Sequence, residues 1–481
     1  MPCEALTCGI IAPTMSQRKI STARWRRSAV AVVSSSACAG SLPGDGGGTD
    51  ATGGTTASAS SVTASSTTGG TTASSASGGG TSATASASGT GTTQGSTGGT
   101  DGTTTGDTTT GGAVEGWLAV AAGGEHTCAI DAARHLWCWG NNSRGAVGIG
   151  DPMGPDVLVT EPRMVSETKT WKSVAAGGYH TCAIDTDGGL FCWGSNSWGQ
   201  VGVDATMQFV WIPYPASANV TWSSVAAGDA FTCGVSNLGW TCWGNNESGQ
   251  LGNGTTSTVA DDIIDDFDVF PGFSEIHAGA RHACAIDEAD SDRLYCWGEN
   301  TSGQTGRPVS PSEAEPKAIA ATLQTQWTWV SAGGRFSCGY NAAQMKFYCW
   351  GANDRSQLAN EFAANPSTDP KPVTAPVGLR SYNIGALGLG DEHACVVTDG
   401  RLFCWGADDR EQLGDGAGMT DVAVLTEIGD FGWVAVSAGR DHTCAIRDDG
   451  SLWCWGANTM GQLGLGDTLD RNEPTMVVVT M

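Results

Sequence analysis

The chain has few basic residues and no apolar run long enough to cross a membrane. Its 481 residues include 24 Lys and Arg against 49 Asp and Glu, and residues 1–113 hold five of each sign, so the acidic excess falls on residues 114–481. Proteins bind DNA and RNA through Lys and Arg side chains that displace counterions from phosphates, which argues against a nucleic-acid partner. A membrane-spanning helix needs about 20 consecutive apolar residues, so we expect membrane contact only through an N-terminal lipid.

Short motifs that carry catalytic chemistry are also missing. The sequence contains no G-x-S-x-G nucleophile turn, no H-E-x-x-H metal pair, no phosphate-binding P-loop and no G-x-G-x-x-G dinucleotide fingerprint. We therefore predict a protein without enzymatic activity and without a cofactor or a metal site.

The first 113 residues differ from the rest in composition. The stretch "RKISTARWRRSAVAVVSSSACAG" places basic residues before a short apolar run and then small residues, which is the order of an export signal. We predict an export signal over residues 1–38, with Met15 as an alternative start. Cys38 would carry the lipid of a bacterial lipoprotein, although Ser35 stands where such proteins usually have Leu. Residues 39–113 are almost entirely Gly, Ser, Thr and Ala, so we predict a disordered linker there.

Residues 114–481 contain a sevenfold repeat. The triplet C-W-G recurs at steps of 50 to 55 residues, and its tryptophans are Trp139, Trp193, Trp243, Trp297, Trp350, Trp405 and Trp455. Each unit contains short strands divided by turns, such as "HTCAI" and "LFCWG" around Thr186-Asp187-Gly188. Short β units that cannot bury a face alone stack into a closed ring. The sequence therefore predicts an all-β, seven-bladed β-propeller.

Fourteen cysteines occur as seven pairs, one pair in each unit. If Cys182 faces Cys192 across its hairpin, the residue numbers also place His180 opposite Gly194. Opposed strand positions bring Cβ atoms to disulfide distance, and disulfides fit an exported chain. The predicted disulfides are Cys128–Cys138, Cys182–Cys192, Cys233–Cys242, Cys284–Cys296, Cys338–Cys349, Cys395–Cys404 and Cys444–Cys454. A row of buried free thiols is the alternative, and a zinc site is disfavoured because four ligands do not converge.

The position that faces the triplet glycine carries a ring in every unit. The seven residues are His126, His180, Phe231, His282, Phe336, His393 and His442. Because Phe replaces His twice, we interpret the position as a packed ring rather than a metal ligand.

The unit "VSAGRDHTCAIRDDGSLWCWGANTMGQLGLGD" (436–467) resembles repeats of the regulator of chromosome condensation family, which share the landmarks A-G-x-x-H, D-G, W-G-x-N and G-Q-L-G. The resemblance covers about Trp117 to the C-terminus, although "ANDRSQLAN" (352–360) and "ADDREQLGDG" (407–416) depart from G-Q-L-G. It implies a seven-bladed propeller whose ring is often closed by strands from both chain ends. Since "NEPTMVVV" (472–479) matches "TEPRMVSE" (160–167), we expect Glu473–Val479 to complete the blade that begins at Trp117–Val120.

Candidate binding residues lie just before the ring position. Two positions vary there, and the second is Glu125, Tyr179, Ala230, Arg281, Arg335, Glu392 and Asp441 in successive units. A repeat scaffold presents a partner surface in this way, and neutral drift is the alternative. Trp198 and Trp211 fall outside the repeat framework and are candidate exposed contacts. Arg281, Arg335 and Arg440 could form a loose cluster, and the acidic segment 261–270 is interpreted as a solvated loop rather than a calcium site.

Together these features predict an exported, monomeric propeller that binds another macromolecule, in the first place a protein. We expect it in the cell envelope, as an outer-membrane lipoprotein if Cys38 is acylated, or outside the cell. The family takes its name from a nuclear member that docks on nucleosomes and exchanges nucleotide on a small GTPase, but a fold does not fix a function. A hydrolase or lyase on the propeller face and a regulator that acts as a guanine-nucleotide exchange factor are the alternatives.

Overall fold

The computed structural model describes residues 114, 116–150, 157–217, 219–261, 268, 272–318, 325–360, 365–374 and 384–479. In these residues, 28 strands form seven antiparallel sheets of four, and no helix is long and apolar enough to cross a bilayer. The predicted export signal with Met15 and Cys38, the predicted linker and most of the acidic segment 261–270 lie outside the described residues.

Each sheet is one blade, and its four strands follow one another along the chain. Blades 1 to 3 are β1 (Trp117–Ala122), β2 (His126–Asp131), β3 (Leu136–Asn141), β4 (Leu158–Met164); β5 (Trp171–Ala176), β6 (His180–Asp185), β7 (Leu190–Ser195), β8 (Phe209–Pro215); β9 (Trp222–Ala227), β10 (Phe231–Ser236), β11 (Gly239–Asn246), β12 (Ser257–Asp261). Blades 4 and 5 are β13 (Phe273–Ala278), β14 (His282–Asp287), β15 (Arg293–Asn300), β16 (Ser310–Ala318); β17 (Trp327–Ala332), β18 (Phe336–Asn341), β19 (Lys346–Gly351), β20 (Ser367–Pro372). Blades 6 and 7 are β21 (Ile384–Leu389), β22 (His393–Thr398), β23 (Arg401–Gly406), β24 (Val422–Ile428); β25 (Trp433–Ala438), β26 (His442–Arg447), β27 (Leu452–Gly456), β28 (Arg471–Met476). A 3-10 turn, Glu288–Asp290, lies in the β14–β15 connection.

The pairing of the second and third strands confirms the predicted hairpin register. Cys182 lies opposite Cys192, and His180 lies opposite Gly194. The corresponding residues of the first and last blades pair in the same way. The fold is therefore the predicted seven-bladed propeller, with one repeat hairpin in each blade.

The predicted closure of the ring is wrong. β28 pairs with β27, in the blade that starts at β25, rather than with β1. The segment "TEPRM" is part of β4, the outer strand of blade 1, so its match to "NEPTM" of β28 aligns two outer strands and the chain begins and ends in phase. Blades 7 and 1 meet instead side by side, where Trp117 N donates to Gly450 O at 2.8 Å and Arg440 N donates to Gly123 O at 3.1 Å.

Each blade buries the tryptophan of its C-W-G triplet against the preceding blade. The Trp193 indole N–H donates to Ala146 O at 2.9 Å, and the Thr181 hydroxyl donates to the same carbonyl at 2.8 Å. All seven triplet tryptophans make such a bond, and their acceptors in blade order are the carbonyls of Gln462, Ala146, Gln200, Gln250, Gln304, Gln357 and Gln412. The blades are thus joined through backbone carbonyls that the preceding loop holds in place.

Glycine before the ring position permits neighbouring blades to approach closely. Gly124 N donates to Gly177 O at 3.0 Å. A Cβ added at Gly123 would lie 2.6 Å from Gly177 O and 2.6 Å from the His126 ring. A side chain at this position would therefore push two blades apart.

Candidate protein-binding surface at the propeller mouth

Two sets of connections lie at the same end of the ring, because the strands of every blade are antiparallel. They are the connections between first and second strands and those between third and fourth strands. We call this end the mouth surface. It consists of the two residues before each ring position and the tip of each third-to-fourth-strand loop. Beneath it lies a central cavity of about 240 Å³, lined by small residues of the first strands together with Asp229, Asp391 and Arg440.

One cluster on the mouth surface spans blades 6, 7, 1 and 2. The Arg440 guanidinium lies 3.3 Å from the Asp391 carboxylate and 3.5 Å from that of Glu125, and it donates to the Tyr179 hydroxyl at 3.2 Å. Tyr179 in turn donates to Glu125 at 3.4 Å. The Arg144 guanidinium stacks 4.1 Å above the Tyr179 ring. This part of the surface is therefore held by contacts that cross from blade to blade.

A second cluster spans blades 5 and 6. Arg355 lies 3.1 Å from Glu392 and 2.7 Å from Asp421, and its neighbour Arg335 lies 2.8 Å from Asp354. These pairs are partly exposed, so each contributes little to stability. Their main effect is to hold long side chains in one arrangement at the surface.

The three arginines that sequence suggested as a loose cluster do not meet at one point. Arg440 and Arg335 contact different carboxylates, as described above, and Arg281 lines a separate pocket. Across the described blades, these arginines therefore form no common anion-binding site of the kind that a propeller-face hydrolase would need.

The two tryptophans outside the repeat framework occupy different places. Trp198 lies at a loop tip on the mouth surface, where it lines a pocket of about 100 Å³ with Asp229, Ala230 and Arg281. Trp211 lies in β8, on the outer strand of blade 2, and packs against the loop of blade 1 at Gly145. Both rings are half-buried, and only Trp198 belongs to the mouth surface.

Apart from Trp198, sequence reasoning missed the residues at the tips of the third-to-fourth-strand loops. The tip residue Arg144 lies against Tyr179, the mouth residue of the next blade, and Arg355 lies against Glu392 in the same way. These tips stand four residues after the triplet glycine, at a fixed offset. The sequence could have indicated these residues, because four antiparallel strands place both sets of loops at one end of the blade.

Burial raises the pKa of several carboxyl groups around the cavity. Burial, and then the charge of Asp391, raises the pKa of Asp229 to about 6. The same two causes raise the pKa of Asp441 to about 6, and burial raises that of Asp391 itself. Such groups can exchange a proton near neutral pH or accept a partner cation. No group of three or more metal-ligating side chains occurs within the described ranges.

All seven predicted cysteine pairs lie at disulfide-bond distance, each between the second and third strands of a blade. The Cα atoms of each pair lie 4.0 to 4.2 Å apart. These cysteines are buried within the blades. Their role is to link strands within a blade rather than to bind a ligand.

Comparison with known proteins places this arrangement in a class of ring-shaped repeat propellers. The model of the regulator of chromosome condensation (RCC1) repeat matches residues 135–184, 187–235, 291–340, 399–446 and 449–480. A second model of the same repeat matches residues 117–146, 171–200, 273–304 and 433–462. The two models together match more than half of the chain, so the chain belongs to the RCC1 repeat family.

Individual relatives are similar over part of their length. The ultraviolet-B receptor UVR8 of Arabidopsis thaliana is 28% identical over 246 residues, which are 50% of this chain and 54% of that protein. The secretion-regulating guanine nucleotide exchange factor of Bos taurus is 27% identical over 308 residues, which are 60% of this chain and 62% of that protein. The chain thus spans less than two thirds of these curated relatives.

Solved structures share the fold at low sequence identity. Yeast RCC1 (Prp20), in its crystal structure with Kap60, gives a TM-score of 0.63 at 21% identity and covers 71% of this chain and 83% of that chain. Human WBSCR16 gives a TM-score of 0.62 at 21% identity and covers 72% of this chain and 94% of that chain.

Proposed function

We propose that the chain is a non-catalytic propeller that binds a partner protein at its mouth surface. The observation that carries the proposal is a ring of fixed backbone hydrogen bonds that presents different side chains in each blade, among them Glu125, Tyr179, Arg335 and Glu392. Protein binding has precedent in this fold, since yeast RCC1 is seen bound to Kap60. Tyr and Arg are also the residue types that supply much of the binding energy in protein interfaces.

Preorganisation supports the same surface. Tyr179 is held between Arg144 and Arg440, and Glu392 is held by Arg355. A side chain that is already ordered loses less conformational entropy when a partner binds. The cross-blade contacts therefore favour binding even though they add little to stability.

Export is the second part of the proposal. Seven disulfides support it, because disulfides persist in oxidising compartments and are rare in the cytosol. We propose a leader over residues 1–38, a tether over 39–113 and the propeller over 114–481, with Cys38 as the lipid anchor in the envelope. Exchange of nucleotide on a cytosolic GTPase does not fit such a location.

A hydrolase or lyase remains the second candidate, because Asp229 and Asp391 have raised pKa values near Arg440 at the cavity. A carboxyl group of this kind can act as a general acid or base. Replacing Asp391 with Asn would abolish an enzymatic turnover, whereas a binding protein would retain its partner through the contacts of Tyr179 and Glu392.

Site-specific photocrosslinking in the native host tests the binding proposal. A benzoylphenylalanine would replace Tyr179 on the mouth surface, and a matched control would replace Leu238, an exposed residue of a hairpin tip on the opposite end. We expect one discrete crosslinked protein from position 179 and none from position 238. Crosslinks from position 238 alone, or from neither position, would contradict a partner at the mouth.

A further inference from the structure

The Trp198 pocket exists because one mouth residue is small. Among the seven second mouth residues, Ala230 has the smallest side chain. In blade 2 the large Tyr179 fills the corresponding place below the Arg144 tip. At Ala230 the space stays open and forms the pocket of about 100 Å³ beside the Trp198 indole.

Negative charge dominates the lining of this pocket. The carboxylates of Asp229 and Glu247 line it, and Arg281 is the cation among its lining residues. Glu299 lies close enough to raise the pKa of Asp229 further. The side chain of Asp229 has no hydrogen bond or ion pair within the part of the chain that the structure describes, although its backbone N–H donates to Ala280 O.

The acidic residue Asp229 and the basic residue Arg281 differ in their exposure to solvent. Arg281 is exposed to solvent and needs no further partner. Asp229 is half-buried, and burial raises its pKa to about 6 although Arg440 and Arg281 lower it. A cation beside Asp229 would replace the lost hydration, whereas an anion beside Arg281 would have to displace good hydration and face two carboxylates.

We propose that the Trp198 pocket binds a cationic side chain, lysine or arginine, of the partner protein. The cation lies against the face of the Trp198 indole and pairs with the Asp229 carboxylate, while its methylene groups cover the Ala230 side of the pocket. Cation–π contact and a charge-assisted hydrogen bond both favour this occupant. An indole and an alanine are not metal ligands, so a bound metal ion does not fit the lining. The inference deepens the proposed function and rests on it for the source of the cation.

Titration of the full chain with small probes tests the pocket directly. The probes are Nα-acetyl-arginine N-methylamide and Nα-acetyl-lysine N-methylamide, with Nα-acetyl-glutamate N-methylamide as the control of opposite charge. The readout at pH 7.5 is the Trp198 indole N–H resonance, assigned by its loss in Trp198→Phe. We expect a saturable shift of this resonance with one or both cationic probes and none with the glutamate probe.

Variants separate the pocket from general charge effects. Asp229→Asn should weaken binding of the cationic probe about tenfold, the effect of losing one hydrogen bond to a charged group. Ala230→Leu should abolish it by filling the pocket, and Arg281→Gln should leave it unchanged or tighter. Asp441→Asn is the matched control, since Asp441 is a mouth carboxylate with a similarly raised pKa in another blade. Retained probe binding in Ala230→Leu, or binding of the glutamate probe that Arg281→Gln removes, would overturn the proposal.

The two proposals fail in different ways. If the cationic probes shift Trp198 but position 179 gives no crosslinked protein, the pocket is correct and the proposed protein partner is wrong. If a crosslinked partner is found but neither cationic probe shifts Trp198, the surface is correct and the pocket inference is wrong.

Discussion

The His126 ring nitrogen Nε2 lies 2.8 Å from the Thr181 hydroxyl, so a side chain of the first blade is hydrogen-bonded to the second. Thr181 also donates to Ala146 O, back in the first blade. The same ring-to-hydroxyl bond joins His180 to Thr232, His282 to Ser337, His393 to Thr443 and His442 to Thr127. Burial lowers the pKa of these histidines to about 4 or about 3, so they are neutral at physiological pH.

Where Phe replaces the histidine, Ala replaces the hydroxyl residue in the next blade. The blade after Phe231 has Ala283 in the place of the hydroxyl residue, and the blade after Phe336 has Ala394 there. Alanine offers no acceptor to a histidine ring, and a buried ring N–H without a partner is costly, whereas a phenyl ring needs none. The ring and the residue it faces in the next blade are therefore exchanged together.

A double-mutant cycle tests this coupling. Thr181→Ala leaves the buried His126 Nε2 without its partner and should cost about 1–3 kcal/mol in the free energy of unfolding. Adding His126→Phe reproduces the natural pair of Phe231 and Ala283 and should recover most of that loss. Urea unfolding of the wild type, the two single variants and the double variant measures the coupling. Strictly additive single effects would show that the two residues act independently.

The fold was predictable because the signals that define a blade are local. The spacing of Cys182 and Cys192 within one hairpin determined the register, and seven repeats of that hairpin determined the number of blades. Contacts between blades were not predicted. Arg144 and Tyr179 are 35 residues apart and belong to different repeats, so no period within one repeat indicates their contact.

The error over ring closure has a related cause. The match between "NEPTM" and "TEPRM" predicts a blade shared by the two chain ends, whereas the two segments are the outer strands of the last and first blades. Repeats defined by their strongest motif do not reveal where a structural blade begins. The pairing of His126 with Thr181, and of Phe231 with Ala283, would have indicated which repeats are neighbours but not the phase of the outer strand.

Close packing at the mouth predicts that replacing Gly123 by Ala destabilises the fold strongly, whereas the same change at Gly385 is tolerated. Gly123→Ala would place a Cβ 2.6 Å from Gly177 O and 2.6 Å from the His126 ring. We expect a loss of about 3 kcal/mol or more, as for overpacking that must move backbone. The matched control is Gly385→Ala in β21, whose nearest neighbour would lie 3.7 Å away. Thermal unfolding of both variants checks the difference, and equal midpoints would contradict the proposed role of Gly123.

Intact mass before and after reduction tests the disulfides and the export signal together. Protein from the native host should gain no alkyl groups before reduction and fourteen on the propeller cysteines after it. If the signal is cleaved at Cys38, the chain should begin there with added acyl groups. Fourteen alkylated thiols without reduction would contradict export and restore a cytosolic regulator as the leading function.

Single disulfides should each make a modest contribution. Each disulfide joins residues 9 to 12 positions apart, for which the chain-entropy model gives about 2–3 kcal/mol. Replacing Cys182 and Cys192 together by Ala should lower the free energy of unfolding by about that amount without loss of the fold, because six disulfides remain. Urea unfolding under non-reducing conditions measures it, and unfolding of the double variant in the absence of urea would contradict the expectation.

We expect the stability of the fold to depend on pH through Asp408, and the substitution Asp408→Asn to remove that dependence. Six blades have Asn at this loop position, where Asn196, for example, donates from its amide to Met207 O at 3.0 Å. Asp408 is buried in the same place. Burial raises its pKa to about 7, although the hydrogen bond from the Leu413 backbone N–H acts in the opposite direction. A folded-state pKa above the unfolded value means that the folded state binds the proton more tightly, so stability falls as the pH rises from about 4 to about 7.

Asp408→Asn supplies the missing amide donor and removes the buried charge. We expect a gain of about 1–3 kcal/mol at pH 8, declining as the pH falls below 7, because the protonated Asp408 carboxyl can then donate as the amide does. Thermal unfolding between pH 5 and pH 8 measures the difference from the wild type. Asp430→Asn, an exposed acidic residue of blade 6, controls for the loss of one negative charge from an acidic surface. An equal gain in both variants at every pH would show that net charge, and not the buried carboxyl of Asp408, limits stability.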